Sequence, residues 1–498
     1  MTQKTPKPDP SPAPPPLPAD PPPSAMGNAQ WVAIAQVGKI ALQLISLATL
    51  ARLLNAQQYG VMAMATVVTN FALLMRDLGT GAAVVQSRNL SDKLLDSVFW
   101  LNLSMGAAVA LVLWVGAIPI SHLFGSTELP PVLWALAVIF PITASATTHQ
   151  ALLERRSQFK SIAQIELAAL SLGVVFAIAA AAAGWGVFSL VVQAIVNAVV
   201  STLFLWKKSL WRPGRNGSLS ELKGLVGFSG NLSLFQFINY FSRNADGMII
   251  GRFLGATVLG FYSVAYRLML FPIQSLTSVA SRALYPIMSQ QQTRIADMAS
   301  LYLRTIALIA TITAPLMAGL FSVREAFVTT AFGSGWDQVA AILMWLAPTG
   351  FLQSIMSSTG AIFMARGRTD LMMRVGVVTA ITQLSAFFVG AQYDVLVLAS
   401  LYLAANVFNF IPVMVVTLRQ LDSSLVDLTK ALAAPVGSAL IMAAAVRVVV
   451  WVCAREGVSP LQTLIVACPL GAVVYVAVLT LVFRRSLSDL RALLRRPR

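Results

Sequence analysis

Ala51-Arg-Leu-Leu-Asn-Ala-Gln-Gln-Tyr-Gly60 and Gly251-Arg-Phe-Leu-Gly-Ala-Thr-Val-Leu-Gly260 stand 200 residues apart in one register. Arg52 matches Arg252, Leu54 matches Leu254, Ala56 matches Ala256 and Gly60 matches Gly260. Ala65 and Phe71 then match Ala265 and Phe271 at the same offset. Among apolar residues, two or three coincidences carry little weight; an arginine and a glycine held at one offset carry more. The chain reads as an internal duplication. How its halves lie depends on how often each repeat crosses a membrane.

That a membrane is crossed follows from composition. Of 498 residues, 57% are hydrophobic and 11% charged, and mean hydropathy is +0.75. A soluble domain carries about 45–50% apolar and about 25% charged residues. The excess apolar surface must face lipid, which excludes soluble enzymes and soluble nucleic-acid binders. A bilayer core needs roughly 20 helical residues per crossing. The apolar runs divide into fourteen spans: 30–54, 59–84, 94–118, 130–152, 161–183, 185–206, 224–250, 258–288, 300–322, 338–364, 371–391, 393–418, 431–452 and 460–483. The least marked divisions lie near Gly184 and Gln392. Six spans fit one repeat, an even number, so the halves point the same way about an axis along the membrane normal. The expected fold is all-α and polytopic, with about 14 transmembrane helices in two pseudo-symmetric six-helix lobes plus two C-terminal helices. The expected divisions are a Pro-rich tail at 1–27, lobes at 28–215 and 216–420, added helices at 421–485 and a basic tail at 486–498. The first 25 residues hold eleven prolines and cannot bury enough surface to fold.

Charge orients the chain. With the N-terminus inside, 27 of the 35 Lys and Arg fall in inner segments; only Arg52, Arg252, Arg324, Arg447 and Arg455 fall outside. This bias predicts both termini in the cytoplasm. The outer loops are too short for the acid–base site of a membrane polymerase or ligase. Cys453 and Cys468 sit in apolar runs, His122 and His149 lie apart from carboxylates, and no phosphate-binding GxxxxGK[ST] loop occurs. No disulfide framework, metal or cofactor is expected, and no enzymatic activity.

Polar groups inside a bilayer are expensive, so their placement is informative. Gln36, Lys39, Gln43 and Ser46 recur at steps of 3, 4 and 3 in span 1; Gln236, Asn239, Arg243 and Asp246 do so in span 7. Each set lies on one helical face, and the two sets share the 200-residue offset. Span 8 adds Arg267, Gln274, Ser278 and Ser281, and span 2 adds Thr66, Asn70 and Asp77. Facing stripes at a lobe interface predict a water-accessible cavity. Lys39, Arg243 and Arg267 against Asp246 give it a cationic surplus, suited to phosphate because guanidinium pairs its hydrogen bonds to phosphate oxygens. Pro141, Pro272, Pro286, Pro315, Pro348, Pro412 and Pro435 interrupt spans, and proline frees backbone carbonyls and bends helices.

The segment from Arg243 to Arg267 resembles the bacterial polysaccharide-unit flippases of the multidrug, oligosaccharidyl-lipid and polysaccharide exporter superfamily. The residues that carry the likeness are Asp246, Ile250-Gly-Arg252, Leu254-Gly255, Leu259-Gly260, Tyr262 and Ala265-Tyr-Arg-Leu268; Tyr59-Gly60, Arg76-Asp-Leu-Gly79 and Gln86 resemble the family's second span. The resemblance implies two six-helix bundles around a central cavity lined by spans 1 and 7. It implies a polyprenyl-diphosphate-linked oligosaccharide as substrate, moved across the bacterial inner membrane for exopolysaccharide, capsule or O-antigen synthesis. Membrane lipid, a polysaccharide polymerase and assembly proteins are the implied partners, and nucleic acid is not. On this reading Lys39, Arg243 and Arg267 hold the diphosphate. Gln36, Gln236, Asn239 and Tyr240 contact sugar hydroxyls. Asp246 anchors Arg243 or takes the coupling proton, and Asp77 is a second candidate for that role. A cation-coupled drug or metabolite exporter of the same superfamily, which needs acidic residues facing the cavity, is the alternative, with a non-transporting assembly protein behind it.

Overall fold

The computed structural model describes residues 25–76, 80–86, 90–214, 244–271 and 295–481, which are helical with short connections and no strand. The first half holds α1 (Ala25–Leu53), α2 (Ala56–Arg76), α3 (Thr80–Gln86), α4 (Asp92–Phe124), α5 (Leu129–Ala137), α6 (Ile139–Arg155), α7 (Phe159–Ala182) and α8 (Phe188–Ser209). Then come α9 (244–253) and α10 (Gly255–Phe271). They are followed by α11 (Ile295–Phe332), α12 (Asp337–Met356), α13 (Thr359–Ala365), α14 (Thr369–Gly390), α15 (Val395–Arg419), α16 (Leu425–Arg455) and α17 (Pro460–Leu481). The fold class is as read from the sequence. Span 4 is the pair α5–α6 and span 10 the pair α12–α13. Among the described residues, eleven helices, with those pairs joined, are long and apolar enough to cross a membrane. The tail at 1–24, the 482–498 end, Asp77, Gln236, Asn239, Tyr240, Arg243, Gln274, Ser278, Ser281, Pro272 and Pro286 lie outside the described residues.

Local chemistry sets the helix ends. Gly184 and Gly186 take positive φ between α7 and α8, the division left loosest by apolarity alone. At the other loose division, Asp394 caps α15 by accepting from Leu396 N at 2.7 Å and Val397 N at 2.8 Å. Such caps satisfy backbone N–H groups that a helix leaves without partners. Pro315, Pro348, Pro412 and Pro435 lie within α11, α12, α15 and α16, which continue through them. Leu111, Val112, Trp114, Val115 and Ile118 of α4 are all exposed. Such a face is stable only against lipid.

Helices α1–α8 pack chiefly on one another, as do α11–α17, with α16 and α17 laid against α11. The halves meet at the end where α1 passes into α2. There a single apolar cluster draws Leu50, Tyr59 and Met64 from the first half and Ile250, Tyr262 and Leu343 from the second. At the opposite end the apolar packing splits: Leu95 and Leu152 belong to a first-half cluster, Tyr302 and Leu418 to a separate second-half one. Among the described residues, the halves are joined at one end and divided at the other.

The join runs through the duplicated motif. A Cβ added to Gly60 would stand 1.7 Å from the Ala256 carbonyl oxygen, and one added to Gly260 would stand 1.8 Å from that of Ala56. The four small residues that matched in sequence thus pack reciprocally, α2 on α10, as a two-fold axis between the halves requires. Small residues four apart let helix backbones approach closely.

Candidate substrate cavity

Below that join lies a cavity of about 360 Å³ between the halves. Gln43, Ser46, Leu47 and Leu50 of α1 form one wall; Tyr59 of α2, Leu170 of α7 and Leu190 and Gln193 of α8 extend it; Arg267, Leu270 and Phe271 of α10 close the far side. Its roof is aromatic. Tyr59 meets the Trp336 ring edge-on at 5.4 Å, Phe261 meets the same ring at 5.7 Å, and the Trp336 indole donates to the Ala51 carbonyl at 2.8 Å. Arg52 adds a clasp across the halves, its guanidinium donating to the carbonyls of Thr330 and Ala331 at the end of α11.

The polar stripe of α1 splits by depth. Gln43 is exposed and lines the cavity. Ser46 is buried in its wall and accepts from Gln193 Nε2 at 3.1 Å. Lys39, one turn toward the divided end, forms an ion pair with Glu166 of α7. Gln36 is half-buried on the same face. Lys39 therefore adds no net charge where it stands, and Glu166, an acid the stripe reading passed over, neutralises it. Arg267 is exposed, lines the cavity and forms no ion pair among the described residues. Of the three expected cations it is the described one that stands unneutralised at the wall.

Asp246 points elsewhere. It is 7% exposed, is absent from the cavity wall, and accepts from Tyr262 Oη at 3.1 Å and Gly247 N at 2.8 Å. The Tyr262 hydroxyl on α10 draws the carboxylate into the second half, and among the described residues it forms no ion pair with a cation of the cavity. A polar chain continues from there. Tyr262 stacks on Tyr266 at 5.6 Å, and the Tyr266 hydroxyl lies against that of Tyr402. Tyr402 accepts from Gln353, and Gln353 and Gln383 both donate to Asn406 Oδ1, at 3.3 and 3.4 Å. Tyr402, Asn406 and Asn409 recur at steps of 4 and 3. The periodicity that exposed the stripe of span 1 was present in span 12 as well.

Comparison with known proteins adds a family. Residues 49–341 match the model of the polysaccharide biosynthesis protein family. The chain belongs to that family. The match bears out the resemblance carried by the residues between Asp246 and Leu268. Among relatives, the chain is 26% identical to lipopolysaccharide biosynthesis protein WzxC of Escherichia coli K12, over 74% of this chain and 75% of the relative. It is 26% identical to teichuronic acid biosynthesis protein TuaB of Bacillus subtilis 168, over 78% and 80%. It is 27% identical to succinoglycan biosynthesis transport protein ExoT of Rhizobium meliloti 1021, over 95% and 96%. Two solved structures share the fold. One is lipid II flippase MurJ in an inward closed conformation, with TM-score 0.73, 13% identity and coverage of 93% of this chain and 100% of that one. The other is an inward-facing multidrug resistance MATE family transporter, with TM-score 0.55, 16% identity and coverage of 78% and 97%. The polysaccharide family thus has the architecture of membrane transporters, and this chain is a multi-pass member of it.

Proposed function

We propose that the protein flips a polyprenyl-diphosphate-linked oligosaccharide across the bacterial inner membrane, for exopolysaccharide, capsule or O-antigen synthesis. What carries the reading is Arg267, a guanidinium without an ion pair among the described residues, on the wall of a cavity between two halves, beside the amides of Gln43 and Gln193. A guanidinium binds a diphosphate through paired, charge-assisted hydrogen bonds. Amides and the Tyr59 hydroxyl suit sugar hydroxyls. The reading also assigns Lys39 and Arg243 to the diphosphate, and Gln36, Gln236, Asn239 and Tyr240 to sugar hydroxyls. At about 360 Å³ the cavity is near the small end of ligand pockets. It accommodates a headgroup, and the sugars lie toward the divided end. The polyprenyl tail stays in lipid between the halves.

Transport is alternating access about the join. The divided end faces the cytoplasm and the joined end faces outward, with both termini cytoplasmic. Asp246, buried and held by Tyr262, is the coupling site, where gain or loss of a proton changes the charge of the Tyr262–Tyr402–Asn406 chain. No covalent chemistry is needed. The protein works beside a polymerase and assembly proteins that consume the flipped unit. A cationic-drug exporter would need unneutralised acids at the cavity. No Asp or Glu is among the described residues that line the cavity, and Glu166, one turn below Leu170 of its wall, is already paired with Lys39, which favours the anionic headgroup.

The test is polymer export in cells carrying Arg267→Ala at normal protein abundance. Export should fall by more than about tenfold, the loss that corresponds to 1.4 kcal/mol, with Arg267→Lys recovering part of it. Normal export in Arg267→Ala would remove the diphosphate from this wall.

A further inference from the structure

The ion pair of Lys39 and Glu166 spans α1 and α7 at membrane depth, with side chains 27% and 41% exposed. A structural pair in a helix core would be sealed; this one is partly exposed. Its surroundings say to what. Gln43 is one turn above Lys39 on α1, and Leu170 is one turn above Glu166 on α7; both line the cavity. Residues four apart share a helix face, so the pair continues the cavity wall toward the divided end. Further along the same α1–α7 groove, Lys160 lies over the Trp31 ring at 4.5 Å. An anionic headgroup moving along that groove would meet Lys160, then Lys39, then Arg267.

Lys39 cannot serve a diphosphate at full strength while Glu166 holds it. The acid is also misplaced for a site that binds anions, unless its presence is useful. We propose that Glu166 is a built-in competitor of the substrate's diphosphate for Lys39. In the empty transporter the carboxylate keeps the ammonium on the α7 side. When the headgroup arrives, Lys39 exchanges Glu166 for phosphate oxygens; when the headgroup leaves, Glu166 takes Lys39 back. Each exchange keeps Lys39 paired and leaves the carboxylate, 41% exposed, to the water of the cavity, where a lone charge costs less than in a sealed core. The competitor also keeps binding weak enough for release, since an exporter that holds its cargo tightly on both sides does not turn over. This inference rests on the diphosphate reading above and adds to it a residue which tunes affinity without touching the cargo.

The test is binding of farnesyl diphosphate, with farnesol as its uncharged counterpart, to the full-length protein in lipid nanodiscs. Glu166→Gln should bind farnesyl diphosphate about tenfold more tightly, and Lys39→Gln several-fold more weakly. The Lys39→Gln/Glu166→Gln double variant should bind like Lys39→Gln, because the competitor matters only through the lysine. Flipping by Glu166→Gln should be slower despite the tighter binding. A pair that merely fastens α1 to α7 predicts otherwise: both single variants would lower the melting temperature and weaken binding together. Unchanged or weaker binding in Glu166→Gln overturns the proposal. If the wild-type protein fails to prefer farnesyl diphosphate over farnesol, the diphosphate reading falls with it; if it does prefer it and Glu166→Gln is unaltered, only the competitor role falls.

Discussion

At the join, the two repeats carry the same residues at the same offset: Ala56 and Ala256, Gly60 and Gly260, Arg52 and Arg252. Ten residues before Ala56 and Ala256, and deeper in the bilayer, they differ. Ser46 stands where the second repeat has Asp246. The serine faces the cavity and holds Gln193; the aspartate turns into its own half and holds Tyr262. Geometry explains the first region. Backbones in reciprocal contact leave no room for a side chain on either side, so both copies are bound to the same small residues. A cavity imposes no such reciprocity. Each copy was free there to take its own chemistry, with amides at the cavity in the first half and a buried carboxylate beside Tyr262 in the second.

The largest effect should come from breaking the matched region. In Gly60→Ala the new methyl would stand 1.7 Å from the Ala256 carbonyl oxygen, and in Gly260→Ala 1.8 Å from that of Ala56. Backbone cannot yield as a flexible side chain can. Overpacking typically costs about 1–3 kcal/mol and occasionally more, and both variants belong at the upper end. Folded protein recovered in detergent and its melting temperature should fall to a similar degree in the two. A harmless Gly260→Ala beside a damaging Gly60→Ala would mean that the contact is not reciprocal.

The unmatched region should respond unequally. Asp246→Asn keeps an oxygen for Gly247 N, places an amide NH2 that can donate to the Tyr262 hydroxyl, and removes the charge. It should leave the fold intact and lower the flipping rate by at least about tenfold, equivalent to 1.36 kcal/mol in the barrier. Ser46→Ala removes the acceptor used by Gln193, a loss of about 0.5–1.5 kcal/mol of stability, with a much smaller effect on rate. Reconstituted flipping assays on the two variants, read beside their melting temperatures, separate the effects. Equal rate losses would show that position 46 does the same work as position 246.

This contrast also marks what could be read before any coordinates. The membrane class and the helical fold were legible from apolar run length, and the close packing of the duplicated motif from its fixed offset, because each is a local or periodic property. The polar residues of span 1 were legible as one helical face. Their partners were not, because these depend on which helices meet and at what angle. Glu166 is 127 residues from Lys39, and the Trp336 indole bonds a carbonyl 285 residues away; neither leaves a local pattern. The direction of Asp246 is set in the same way, by a hydroxyl 16 residues on, across the α9–α10 turn. The 4-and-3 spacing of Tyr402, Asn406 and Asn409 needed only the rule already applied to span 1.

The smallest effect belongs to the matched arginines, whose identity hides a difference in contact. Arg52 donates to two carbonyls at the end of α11, where a cation also meets the negative end of the helix dipole. Arg252 reaches the counterpart end of α4, with Nη1 3.9 Å from a Cβ built on Gly125, yet it makes no hydrogen bond among the described residues. Each such charge–helix interaction is worth about 0.3–1 kcal/mol. Arg52→Ala should therefore raise the open population at the joined end by about two- to fivefold, and Arg252→Ala by less. The reporter is Leu50→Cys, placed on the cavity wall just beneath the Trp336 roof, on a background without Cys453 and Cys468. A membrane-impermeant maleimide added from outside should label it faster in Arg52→Ala than in Arg252→Ala. Equal acceleration would mean that the two arginines clasp alike and that the halves are as symmetric in contact as in sequence. No acceleration in either would assign the closure to the Trp336 roof alone, and Trp336→Ala would then be the variant that opens it.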